Sequence, residues 1–275
     1  MNKEERLTKQ VYSKMPKREW GRLARDPFHM LEFDTTMRFL KKHLPKKGLI
    51  LDAGGGPGRY TIELAKLGYE VVLLDLVKEN LELAKKQIKK AKIQDKVKEI
   101  TEGNIVNLSR YKDNTFDAVI CLGGPLSHIH PKSNRERAVK ELIRVAKKKA
   151  PIFVSVMARY GTLSQIPKRW PKEIEPTKHF EDFVLKGDDY YWVGRHFCHF
   201  FVREELKELF QKQKNIKTLE IVGLEGAGID QEAVNVLNKK YPRAWKNWIN
   251  IHNKICTIPT IVDISQHMMI IGGKK

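Results

Sequence analysis

Residues 48–75 read GLILDAGGGPGRYTIELAKLGYEVVLLD: a strand, a glycine-rich turn, a helix and a second strand, with an acid closing each strand. Leu49, Ile50 and Leu51 form the short apolar run that a parallel sheet buries on both faces. Asp52 ends that run, and Gly54, Gly55, Gly56 and Gly58 follow. Glycine lets the backbone take φ > 0 and come close to a ligand with no Cβ in the way. A helix over 59–67 then starts under that ligand with its free N–H groups toward it. Residues 71–74 make the second strand, and Asp75 falls where a nucleoside ribose would lie.

Two ligand classes compete for such a turn. A dinucleotide fingerprint, G-x-G-x-x-G, sets a pyrophosphate on the helix N-terminus. Here the glycines run Gly54-x-Gly56-x-Gly58, with Asp52 two residues ahead. A carboxylate there repels a pyrophosphate and suits a cationic amino-acid group. This D-x-G-x-G-x-G pattern resembles motif I of the class I S-adenosylmethionine (SAM) methyltransferases.

Composition narrows the setting. The chain has 275 residues, 41% of them hydrophobic, enough for one large α/β domain with additions. Lys and Arg number 52 against 33 Asp and Glu, a net charge of +19 and a pI near 9.7. That imbalance points to a polyanionic partner, nucleic acid first. The 31% of charged residues also suits a thermophile's ion-pair surface, which explains the number of charges but not the excess of one sign. Cys121, Cys198 and Cys256 are too few and too scattered for a disulfide scaffold or a zinc site. The start has no signal-peptide pattern, and no apolar run reaches about 18 residues. A soluble, cytoplasmic protein is the expectation.

Residues 1–47 read as a basic helical lid, with 13 Lys and Arg against six acids. Within it Lys17, Arg18, Arg22 and Arg25 mix with Trp20 and Phe28, a composition that suits stacking plus phosphate contact or a lid helix with apolar anchors. Residues 48–275 form the main domain. A helix over 78–91 is followed by a lysine-rich run, with seven lysines and one acid in 85–98. Strands are expected over 97–100, 115–122, 152–157, 218–224 and 267–271, with helices over 134–147 and 204–213, and residues 272–275 as a frayed tail. Strands alternating with helices make a doubly wound α/β pattern. Residues 158–200, punctuated by Pro167, Pro171, Pro176, Gly187 and Gly194, read as an insertion over the active site. Their aromatic cluster is Tyr190, Tyr191 and Trp192. Residues 230–256 read as a second, helical insertion on the substrate side.

With motif I, the acid after the second strand, the Gly103-Asn104-Ile105 turn and the Phe116-Asp117 strand all in order, the chain resembles a class I SAM-dependent methyltransferase over residues 48–157. The resemblance implies a Rossmann-like, seven-stranded sheet with an antiparallel last strand. It implies that Asp52, Gly54, Gly56 and Gly58 hold the methionine part of SAM. By the same likeness Asp75 with Leu76 takes the ribose, Asn104 and Ile105 the adenine, and Leu122 lines the pocket. Relatives in fold that methylate exocyclic base amines often carry Asp or Asn before Pro-Pro-aromatic after strand four. This chain has Gly123-Gly124-Pro125-Leu126, so backbone carbonyls, Ser127 or His128 would polarise the target. Kinship with archaeal enzymes that methylate a ribosomal RNA cytidine at N4 is the specific expectation.

Other chemistries fit less well. Cys121, at a strand end, lacks the Pro-Cys or Thr-Cys pattern of C5 methylation, and core packing accounts for it. His128 and His130 flank a substrate-side loop, as base, phosphate contact or locally bonded residues. His196 and His199 lack a third ligand, so no metal is expected. The leading reading is a SAM-dependent RNA methyltransferase acting on ribosomal or transfer RNA, with a ribosomal subunit as partner. A small-metabolite methyltransferase and a catalytically silent RNA-binding subunit are its rivals.

Overall fold

The structure, a computed structural model, describes residues 2–190, 196–228 and 230–275. Helices α1 (Lys3–Ser13), α2 (Pro16–Arg22) and α3 (Pro27–His43) precede β1 (Leu49–Ala53). The glycine turn leads to α4 (Arg59–Lys66), β2 (Glu70–Asp75), α5 (Lys78–Ala91) and β3 (Val97–Glu102). β4 (Ala118–Cys121), α6 (Lys132–Val145) and β5 (Pro151–Met157) follow. Next come α7 (Arg159–Leu163), α8 (Ile166–Arg169), α9 (Thr177–Lys186) and the short hairpin β6 (Asp188–Asp189) and β7 (Cys198–His199). The chain ends with α10 (Arg203–Gln211), β8 (Ile216–Gly223), α11 (Gln231–Lys240), α12 (Pro242–Ile255), α13 (Pro259–Ile264) and β9 (His267–Lys274).

The main sheet has seven strands in the order β3-β2-β1-β4-β5-β9-β8, as the doubly wound reading with an antiparallel last strand expects. β1 to β5 run parallel, and β9 is antiparallel to β5 and β8. Successive strand residues point to opposite faces, so each central strand feeds two cores. Ile50, Val71 and Leu73 pack with Leu40 of α3, Leu64 of α4 and Ile88 of α5. Leu51, Val72 and Leu74 pack on the other face with Leu142 of α6 and Phe210 of α10. Strand order reverses between β1 and β4, and the crevice beyond their carboxyl ends is where such a sheet takes its ligand.

Two boundaries differ from the sequence reading by more than two residues. The strand expected over 115–122 forms only at Ala118–Cys121. Thr115 and Phe116 donate their N–H groups to the Val145 carbonyl, and Asp117 Oδ2 accepts from Leu49 N–H at 2.8 Å, so this stretch turns into the sheet. The tail expected over 272–275 is mostly strand. Gly272 and Gly273 pair with Ile152 and Pro151, and Lys274 Nζ donates to the Arg144 and Ala146 carbonyls. A Cβ at Gly272 would fall 2.8 Å from Ile216 Cγ1, so the bare backbone is what lets β9 close there.

The insertion after β5 builds its own small core from Ile166, Phe183, Cys198 and Phe200. Arg159 ties it down, donating from Nε to the Phe200 carbonyl (3.1 Å), from Nη1 to Leu185 (3.1 Å) and from Nη2 to Lys186 (3.0 Å). Tyr191, Trp192 and Gly194 lie outside the described residues. The α11–α12 hairpin packs on α3, where Asn235 Oδ1 accepts from Phe28 N–H and Thr35 Oγ1 meets His252 Nε2 at 2.8 Å. Among the described residues no helix is long and apolar enough to cross a membrane.

Candidate active site

The turn after β1 is folded by its glycines and by the end of β2. Gly54 sits at φ 79°, and a Cβ on it would fall 2.6 Å from Pro125 Cγ. Gly54 and Gly55 donate to the Leu74 carbonyl at 2.7 and 3.2 Å. Gly56, at φ 56°, donates to Asp75 Oδ2 at 2.8 Å, so the acid at the end of β2 also fixes the turn. Asp75 Oδ1 accepts from Val77 N–H at 2.9 Å and Asn80 Nδ2 at 3.3 Å. Burial pushes the Asp75 carboxyl up, against these hydrogen bonds.

Asp52 stands elsewhere than the resemblance implies. It is fully buried, its Oδ2 accepts from Thr61 Oγ1 at 2.6 Å in the first turns of α4, and it is not part of the cavity wall. Burial lifts its carboxyl to about 7, Thr61 opposing and the Asp75 charge adding. Its other oxygen, Oδ1, has no partner among the described residues.

The cavity itself lies at the switch point and holds about 1060 Å³, counting the solvent at its mouth. Gly54, Gly56, Asp75, Leu76, Asn104, Ile105, Leu122, Gly123, Pro125 and His128 all line it, ten of the positions singled out in the sequence. Gly58, Gly124 and Ser127 do not. Gly58 caps α4, Gly124 takes φ 89° at the head of the 3-10 turn Pro125–His128, and buried Ser127 accepts from Met157 N–H at 3.0 Å.

The remaining wall comes from the N-terminal helices. α1 begins with a capping box, Asn2 Oδ1 accepting from Glu5 N–H while Glu5 Oε2 accepts from Asn2 N–H. Glu5 Oε1 then accepts from Asn104 Nδ2 at 2.9 Å, and Lys9 pairs with Glu102. At the helix end Tyr12 Oη lies 2.8 Å from His128 Nε2. Thr8 is the only buried residue of α1, so polar contacts rather than apolar packing hold this roof. Glu19, Arg22 and Leu23 of the α2 region complete the wall.

The Tyr12–His128 pair has a definite proton arrangement. Burial, with His196 beside it, pushes the His128 imidazole down to about 3, so it is neutral near pH 7. Burial pushes the Tyr12 phenol well up, so it keeps its proton. The Tyr12 O–H therefore donates to Nε2, and His128 Nδ1–H points to the Phe197 carbonyl, 3.4 Å away. His196 from the insertion packs edge-on against Tyr12, ring centroids 5.5 Å apart. Cys121, by contrast, is fully buried with its thiol pushed up by burial, and it offers no nucleophile.

A buried ion network lies behind Arg22. Its guanidinium donates to both Glu32 oxygens, at 2.6 and 2.9 Å. His267 Nδ1 meets Glu225 Oε1 at 2.6 Å and lies 3.8 Å from Glu32. Burial works to lower the His267 pKa, but the Glu32 and Glu225 charges outweigh it and raise it. Glu32, Glu225 and His267 bring their ligand atoms within 4.8 Å, and the Arg22 guanidinium supplies positive charge there.

These residues fit SAM. The cavity lies at the carboxyl ends of the central strands; its turn has no Cβ at Gly54 or Gly56; acceptor oxygens stand at Asp75, and charges of both signs at Glu19 and Arg22. Comparison with known proteins agrees. Residues 50–149 match a family model described as a methyltransferase domain. The chain is 27% identical over 139 residues to the methyltransferase-named YqeM of Bacillus subtilis (strain 168), covering 49% of this chain and 53% of that protein. It is 29% identical over 111 residues to a glycine/sarcosine N-methyltransferase of Aphanothece halophytica, 40% of each. It thus spans about half, or less, of the length of the curated relatives it matches. A SAM-dependent methyltransferase of Methanosarcina mazei superposes with a TM-score of 0.56 at 20% identity, over 86% of this chain and 96% of that one, which speaks for the fold. Residues 50–149 match a methyltransferase domain, and the chain has the fold of the class I SAM-dependent methyltransferases.

Proposed function

We propose that this protein transfers a methyl group from SAM to a nitrogen of a compact small molecule. The observation that carries this is the roof over the reaction floor: α1 sets Tyr12 against His128, both on the cavity wall, with His196 packed beside the pair. The similarity to a glycine/sarcosine N-methyltransferase supports the same reading, since that protein's name gives a small amino acid as its acceptor.

SAM supplies an electrophilic methyl on a positively charged sulfur. The chain's part is to align the acceptor nitrogen in line with the C–S bond and keep water out. A C–N bond to that methyl would form as the C–S pair returned to sulfur, and the proton lost from the nitrogen would pass to solvent at the cavity mouth. His128, neutral and bonded through Nε2 to the Tyr12 O–H, keeps that side of the floor uncharged rather than taking up the proton.

A second reading, a base of structured RNA such as cytidine N4 in ribosomal RNA, is favoured by charge. Exposed Lys3, Arg6, Lys14, Lys17 and Arg18 lie on α1, α2 and their junction, against α5, whose exposed face carries Lys85, Lys86, Lys89 and Lys90. Transfer of labelled methyl from SAM into separated RNA, ribosomal subunits, protein and small-molecule extract decides between the two. Label in the small-molecule fraction supports the first reading. Label confined to RNA, with binding that weakens steeply as salt rises, overturns it in favour of the second.

A further inference from the structure

This inference rests on the SAM reading. The amino-acid end of SAM carries one ammonium and one carboxylate, and a closed site has to meet both charges. Asp52, the acid that the sequence places nearest, is not on the cavity wall. Glu5 is committed to Asn104 and its own helix cap, and Asp75 to Gly56, Val77 and Asn80. Arg59 lies over the Trp20 ring, 4.0 Å from its centroid, and donates to the Trp20 carbonyl.

Glu19 and Arg22 remain, three residues apart on α2 and so on one side of it. Glu19 accepts no hydrogen bond from the described residues, and its ion-pair partner is Arg22 Nε at a distant 4.0 Å. Both side chains are 21% exposed, withdrawn from bulk water but open to the cavity. Burial pushes the Glu19 carboxyl up, against Arg22 and Arg18, as expected of an acid that lacks a close cationic partner. Arg22 gives Glu32 one N–H from each of Nη1 and Nη2, which leaves the guanidinium further donors for a second anion. Its Nη2 lies 3.5 Å from the position a Gly123 Cβ would take, on the floor of the cavity.

We propose that α2 grips the amino-acid end of SAM, Glu19 receiving the ammonium and Arg22 the carboxylate, with Glu32 holding Arg22 in place. The N-terminal lid is then part of the cofactor site.

The test is calorimetric titration of the full chain with S-adenosylhomocysteine and with 5′-deoxy-5′-methylthioadenosine. The second has the same adenosine and thioether without the amino-acid end. Glu19→Gln is expected to weaken S-adenosylhomocysteine by about tenfold to a hundredfold, the scale of a charged hydrogen bond, and to spare methylthioadenosine. Arg22→Lys, which keeps a cation beside Glu32, should show the same selectivity. The proposal is overturned if Glu19→Gln binds S-adenosylhomocysteine as the wild type does, or loses both ligands alike. Wild-type protein that binds methylthioadenosine no more weakly than S-adenosylhomocysteine also overturns it, while the adenosine pocket stands. Wild-type protein that binds neither removes the SAM reading as well.

Discussion

Replacing Glu32 with Gln removes one charge from the buried network and leaves its shape. Glu32 is 1% exposed and bonded through both oxygens to Arg22, whose side chain is 21% exposed. Breaking a buried pair by removing one partner costs about 3–5 kcal/mol. Arg22 retains some access to water through the cavity, so the lower end applies: about 3 kcal/mol, or roughly 6–10 °C in Tm for a chain of this size. The pH dependence gives a second readout. Burial works to raise the Glu32 carboxyl, but Arg22 and His267 prevail and hold it at about 2. A depressed carboxylate contributes stability above its ordinary pKa, and that contribution is lost as pH falls toward 2. The His267 pKa is raised, so its contribution is full below about 6.5 and lost as pH rises through the folded value. With Glu32 neutral, His267 keeps only Glu225, and this alkaline loss moves to lower pH. Urea unfolding of wild type and variant across about pH 5 to 9 measures both effects. A variant within about 0.5 kcal/mol of wild type, with an unchanged alkaline limb, would refute the network.

Three other outcomes follow from the site. Gly54→Ala forces an L-residue to φ 79° with its Cβ 2.6 Å from Pro125 Cγ; a loss of about 2–4 kcal/mol in thermal unfolding is expected, and a neutral change would mean that the turn is not as described. The His128 ring should be neutral and protonated on Nδ1 from about pH 5 to 8, read from its ring nitrogen shifts; because its pKa is depressed, the stability it contributes is lost only on acidification, and a charged ring at pH 6 would contradict the Tyr12 pairing. Cys121 should resist alkylation in the folded protein and Cys121→Ser should retain methyl transfer, while fast labelling of Cys121 would reopen it as a nucleophile.

The fold was legible where residues are forced by local geometry. The run 48–75 carried its own strand, turn and helix because a parallel strand needs continuous apolar residues and the turn needs positive φ at Gly54 and Gly56. Asp75 and Asn104 were legible because each stands at a strand end that faces the crevice. The roof was legible only as a lid. Nothing local marks Tyr12 as the partner of His128, 116 positions away, or Glu5 as the partner of Asn104. Glu32 lies in an apolar stretch of α3, and its partners, Arg22 and His267, come from opposite ends of the chain. Asp52 shows the converse. The motif puts an acid before the turn, and only the structure shows that acid bound to Thr61 behind it. The last strand was cut short because Gly272 and Gly273 read as a tail until Ile216 is seen filling the space a side chain would need.

The central claim is that the cavity between the glycine turn, Asp75 and the N-terminal helices holds SAM. Equilibrium binding of labelled SAM to wild type and to Asp75→Ala tests it most directly. One SAM per chain is expected for the wild type, weakened about tenfold or more in the variant, which loses acceptors for the ribose hydroxyls. No binding by the wild type, or unchanged affinity in a folded Asp75→Ala, would contradict it.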